Sequence, residues 1–196
     1  MDSQQINAAL RTIDSEEDLN LRALLLAALV SELFREHGFE PVIVGGSAIE
    51  FYTDGAYMSG DTDICWAGIR LPTPEERGEI MNQIPGIQRK GTRSWLIKGL
   101  WVDLLGELES YGNGSPSVME TPTGEVVLLT VEELLAERVF AARRWTGFNE
   151  EDDECAKKLL ACILRGQVPC DWDEARRIAA LPAYRCTEEL EAVRKE

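Results

Sequence analysis

The chain is short of histidine, of basic residues and of long apolar runs. A single histidine, His37, stands at the end of a predicted helix, where capping is its expected role, so chemistry that depends on histidine is excluded. The five cysteines (Cys65, Cys155, Cys162, Cys170 and Cys186) are odd in number and lack CxxC spacing. Neither a disulfide framework nor a zinc site is indicated, and a reducing cytoplasm is the expected setting. The longest apolar run, Leu24 to Val30, is far below the roughly 20 residues that a membrane span requires. The first residues carry neither a basic stretch nor an apolar core of the kind a secretory signal needs. Internal repeats, low-complexity tracts and Pro/Ser-rich linkers are also missing.

Lys and Arg number 20 against 35 Asp and Glu, a formal net charge of −15 over 196 residues. Such a chain is repelled by nucleic-acid phosphates and anionic lipid, so a nucleic-acid partner is disfavoured and no membrane partner is expected. Part of the excess sits in two acidic clusters, residues 14–18 and 150–154, which read as solvated surface. Hydrophobic residues at 44% and charged residues at 28% are ordinary for a folded protein and exclude wholesale disorder.

Leucines and alanines at helical spacing predict a helix over residues 19–36, closed at His37-Gly38. Residues 39–44 form a short apolar run that enters a turn at Gly45-Gly46, after which Ser47 is expected to cap a short helix to about Tyr52. A polar loop, residues 53–60, leads to a strand over 61–66. Thr73 and Pro74 open a helix toward residue 84. Strands are expected over 87–97 and 100–105 around Lys98-Gly99, with another at 126–129. Thr130 and Glu133 match a capping box that starts a helix to about Trp145, and helices follow near 151–165, 173–180 and 187–195. The expected fold class is α+β: a mixed sheet flanked by helices over residues 1–129, and a helical region over 130–196.

Three features carry chemistry. Gly45-Gly46-Ser47 lies at a strand-to-helix turn, where backbone N–H groups form an anion site. Asp61 and Asp63, two residues apart on a strand, project from one face. Asp103 interrupts the otherwise apolar strand Leu100–Leu105, and a lone carboxylate there needs a reason. Carboxylates on adjacent strands repel, divalent cations relieve them, and beside a phosphate-binding turn this builds a two-metal phosphoryl-transfer site. The reading requires the three carboxylates to converge within about 7 Å. Trp95, Trp101 and Trp145 are candidates to stack a base or sugar, with core packing the default.

The run Val42-Ile43-Val44-Gly45-Gly46-Ser47, then Asp61-Thr62-Asp63-Ile64, then Asp103 on a later strand resembles the DNA polymerase beta-type nucleotidyltransferase superfamily, and the helical end is similar to its small bacterial members. The resemblance implies a Mg²⁺-dependent transfer of a nucleoside monophosphate from an NTP, with ATP expected, to an acceptor hydroxyl. Two Mg²⁺ ions would be held by Asp61 and Asp63, and Asp103 would bind one of them and orient or deprotonate the acceptor. Gly45, Gly46 and Ser47 would receive the phosphates, and Arg138, with Arg143 as the alternative, would clamp the triphosphate. The chain departs from the pattern before Asp61, where Met58-Ser59-Gly60 replaces a basic residue. That departure supports an alternative, a non-catalytic interaction protein of a toxin–antitoxin or stress-response system. A glycosyltransferase using Asp61-Thr62-Asp63 would leave Asp103 unexplained.

Overall fold

Asp2 and Asp18 each cap the helix that follows. Asp2 accepts hydrogen bonds from the N–H groups of Gln4 and Gln5 at 2.8 Å, and its own N–H donates to Gln5 Oε1 at 2.7 Å, which launches α1 (Ser3–Ser15). Asp18 accepts from the Leu21 N–H and opens α2 (Leu19–Glu36). The sequence pattern predicts no helix before residue 19. Yet Ile6, Ala9, Leu10 and Ile13 recur at helical spacing and are buried, so packing turns this polar stretch into α1. The computed structural model describes residues 1–195.

The chain then alternates: β1 (Pro41–Val44), α3 (Gly45–Tyr52), β2 (Asp61–Trp66), α4 (Pro74–Met81), β3 (Gln88–Arg89), β4 (Ser94–Ile97), β5 (Leu100–Glu107), β6 (Ser117–Thr121) and β7 (Gly124–Leu128). The rest is helical: α5 (Val131–Phe140), a π-helical turn over Ala141–Trp145, α6 (Glu150–Leu164), α7 (Trp172–Ala179) and α8 (Thr187–Val193). The strands form one mixed sheet of seven in the order β3-β4-β5-β2-β1-β7-β6. β2 runs antiparallel to β1 and parallel to β5. The architecture is α+β, as expected. Strand β6, which alternates exposed and partly exposed residues, escaped the sequence reading because it lacks a buried face.

The two faces of the sheet differ. Ile64, Trp66, Val102 and Leu104 point into the core, where Phe34 of α2 meets Trp66 at 4.7 Å between ring centroids. All four residues of β1 are buried, whereas β2, β4 and β5 alternate buried and partly exposed residues. Half of one face therefore stays open beside β1.

Three local expectations change. Val44, not Ser47, occupies the N-cap of α3. Thr130 makes no side-chain capping bond, and Glu133 turns inward to accept from Ser110 Oγ at 2.7 Å, the Tyr111 N–H at 2.7 Å and the Gly112 N–H at 3.2 Å. Fully buried, that carboxylate needs several donors, and a loop supplies more than a helix terminus does. The 150–154 cluster is not wholly solvated: Asp152 pairs with Arg138, and Asp153 pairs with Arg143 and Lys157.

Candidate active site

The apolar strand β1 ends at Val44 and is followed by Gly45, whose φ of +62° lies in the left-handed region that favours glycine. A Cβ at Gly45 would stand 3.1 Å from Asp63 Oδ2, and one at Gly46 would stand 3.0 Å from Ser59 Oγ. Gly45 therefore needs glycine, so that Asp63 can approach the turn, while a side chain at Gly46 would have to displace the Ser59 hydroxyl. No side chain caps α3, which leaves its first N–H groups available to an anion. Ser47 is 1% exposed; its hydroxyl donates to the Val44 carbonyl at 3.0 Å and accepts from the Asp63 N–H at 3.1 Å. The Ser47 side chain thus locks the turn to β2, and the turn offers a ligand its backbone.

Asp63 lies opposite Val44 on one side and opposite Asp103 on the other, and Asp61 lies opposite Trp101. Residues paired in this way share a face of the sheet. Asp61, Asp63 and Asp103 consequently converge, each offering one carboxylate oxygen within 4.8 Å of the others. Burial, followed by the charges of Asp61 and Asp103, pushes the Asp63 carboxyl up to about 7, with Arg138 acting in the opposite direction. Three hard oxygen donors crowded against their own repulsion fit a divalent cation such as Mg²⁺.

Two further acids bear on the site without any motif of their own. Glu50, buried in the apolar helix α3, accepts from the Ser59 N–H at 2.6 Å and holds residues 57–60 against Gly46. Burial raises the Glu50 carboxyl above its ordinary range. A glutamate among apolar neighbours in Gly45–Tyr52 was the available signal. Glu137 also reaches Asp63 electrostatically, and no pattern in the sequence marked it.

Arg138 is brought to the carboxylates but arrives engaged. It donates to Asp152 at 2.7 Å and to Glu137 at 2.8 Å, and its Nε is buried without a partner. Arg143 pairs with Asp153 at 2.8 Å. A cavity of about 560 Å³ is lined by Tyr52, Ser117, Thr130, Glu132, Cys170 and Asp171 among others, and contains none of the three aspartates. The carboxylates lie instead on the open half-face of the sheet.

The architecture has known counterparts. An antigenic nucleotidyltransferase-like protein from Paracoccidioides brasiliensis superposes with a TM-score of 0.56 at 14% identity, over 92% of this chain and 94% of that one. ANT(2″)-Ia in complex with adenylyl-2″-tobramycin gives 0.48 at 15% identity, over 89% of this chain and 95% of that one. Comparison with protein-family models and with curated proteins gave no match. The fold is the nucleotidyltransferase fold. No helix among the described residues is long and apolar enough to cross a membrane.

Proposed function

We propose that the protein transfers a nucleoside monophosphate from an NTP, with ATP the expected donor, to an acceptor hydroxyl, releasing pyrophosphate. The observation that carries this reading is the convergence of Asp61, Asp63 and Asp103 within 4.8 Å beside the uncapped start of α3. Asp61 and Asp63 would hold two Mg²⁺ ions, with Asp103 completing the set for one of them. Bound there, the ions supply charge neutralisation for the transferring phosphate. The backbone of Gly46 and Ser47 holds the leaving phosphates, and Gly45 lets Asp63 stand against them. Asp103 orients the acceptor hydroxyl and takes its proton. Arg138 holds Asp152 and Glu137 and offsets the negative potential at Asp63. In this reading the sheet region, residues 1–129, carries the reaction, and the helical region from residue 130 walls it.

The test follows label from α-labelled ATP onto acceptors, with wild type against Asp63→Asn and Asp103→Asn. Label transfer that both variants lose while staying folded supports the proposal; transfer at the wild-type rate in Asp63→Asn overturns it. One observation favours a second reading, a non-catalytic interaction protein: Arg138, whose charge reaches Asp63, is already bound to two acids. Calorimetry with Mg–ATP that shows no binding at millimolar nucleotide selects that reading.

A further inference from the structure

We propose that the hydroxyls of Ser59 and Tyr57 bind the β- and γ-phosphates of the donor nucleotide, as neutral hydrogen-bond donors in place of the basic residue missing before Asp61. This rests on the reading of the site given above and adds the side-chain ligands of the leaving group.

The loop between α3 and β2 folds back onto the turn at Gly45-Gly46. A Cβ at Gly46 would meet Ser59 Oγ at 3.0 Å, Tyr57 Cε1 at 3.3 Å and the Tyr57 hydroxyl at 3.5 Å, so both hydroxyls border the backbone of the anion-binding turn. Hydrogen bonds fix the loop there. The Ser59 N–H donates to Glu50 at 2.6 Å, the Tyr57 N–H to Thr53 Oγ1 at 3.3 Å and the Ala56 N–H to the Thr53 carbonyl at 3.1 Å. Glu50 and Thr53 are themselves buried. A carboxylate withdrawn from water is a costly anchor for a plain connection between two elements. What it secures is the position of the two hydroxyls, which a ligand then meets without an ordering cost.

Both hydroxyls have a proton to give. The bond from Ser59 Oγ to Asp61 Oδ1 is long, at 3.4 Å, and a cation on Asp61 competes for the same carboxylate. Burial, above all, raises the Tyr57 phenol beyond its ordinary range and keeps it protonated, and the Cys155 thiol beside it is a weak hydrogen-bond partner. Arg138, whose charge reaches both Tyr57 and Asp63, is held by Asp152 and Glu137. The place of the hydroxyls matches the leaving group and not the acceptor. β2, which carries Asp61 and Asp63, lies between β1 and β5. The turn follows β1, and Asp103 stands on β5. Attacking and leaving oxygens lie roughly in line across phosphorus, so an acceptor oriented by Asp103 attacks from the β5 side. Ser59 and Tyr57, gathered at the turn, face the departing phosphates. A hydrogen bond from a neutral donor to an ionised phosphate is of the stronger kind, yet it adds no charge, so neutralisation is left to the metal ions.

The test uses the whole protein with Mg²⁺ and measures the binding of a non-hydrolysable ATP analogue and, separately, of inorganic pyrophosphate. Wild type is compared with Tyr57→Phe and Ser59→Ala, each of which loses a single oxygen, and thermal melting confirms that each variant folds. Both variants should weaken both ligands by a similar factor of about tenfold, the size of a hydrogen bond lost from a charged group. In phosphorus NMR spectra of the bound analogue, the β and γ resonances should move in the variants while the α resonance stays in place. A general loosening of the site would not give that pattern. Wild-type affinity in either variant, a loss confined to the analogue and absent for pyrophosphate, or an equal movement of all three resonances overturns the proposal. Should one variant fail to fold, the other decides alone. If wild type binds neither the analogue nor pyrophosphate, the underlying reading of the site fails; if it binds them and the variants bind equally well, only the role of the hydroxyls fails.

Discussion

Glu133 and Asp63 are both carboxylates withdrawn from solvent, and they live under opposite conditions. Glu133, on α5, gathers three donors from the loop at residues 110–112, and Asp153, on α6, is ion-paired so that its carboxyl titrates below its ordinary range. Asp63 faces two like charges and is pushed up to about 7. Glu133 and Asp153, in the helical region, have found partners, and Asp63 on the open half of the sheet faces like charges. A satisfied carboxylate holds structure in place, while a crowded one stores unfavourable energy that a bound cation can release.

Exchanging a member of each set gives opposite results. The largest effect should come from Asp63→Asn, with nucleotidyl transfer falling more than about a hundredfold, since losing a direct metal ligand exceeds the 10–100-fold typical of outer-shell losses. The same variant should melt higher than wild type in metal-free buffer at pH 8. The sign follows from linkage: the folded carboxyl titrates near 7 and the unfolded one near 3.8, so the folded state binds the extra proton between those values. Wild-type stability from this group therefore falls as pH rises through that window, and Asn escapes the loss. At pH 4 the two melting temperatures should converge, which a thermal scan across pH checks.

Glu133→Ala should behave in the reverse manner, leaving the chemistry of the carboxylates untouched but costing about 3 kcal/mol in denaturant unfolding as its donors lose their charged acceptor. Ser47→Ala should be milder, at about 1–2 kcal/mol for a buried hydroxyl that makes two bonds, with weaker nucleotide binding as α3 loosens from β2. Lys98→Ala, which removes the half-exposed pair with Asp14, should shift stability by less than about 0.5 kcal/mol in the same assay.

Much of the site was legible because it rests on local rules. Strand alternation puts Asp61 and Asp63 on one face, the lone Asp103 stands out in an apolar strand, and consecutive glycines after a strand mark a tight turn that can take an anion. The convergence of all three aspartates needed the β2–β5 register, which no local pattern encodes. What escaped was decided by tertiary partners. Glu133 matched a capping box, yet a distant loop outbid the helix terminus for its oxygens. Arg138 looked available to a triphosphate, but its partners Glu137 and Asp152 lie on α5 and on the neighbouring α6. α1 was hidden because its apolar positions gain from burial only once α2 is beside them, and β6 because it has no buried face.

Calorimetry of a non-hydrolysable ATP analogue, with Mg²⁺ and with chelator, on wild type and Asp63→Asn is the most direct test of the claim that these crowded carboxylates form a metal-dependent nucleotide site. The predicted result is binding below millimolar with Mg²⁺, lost both in chelator and in the variant. Equal binding with and without Mg²⁺, or no binding at millimolar nucleotide, would contradict it.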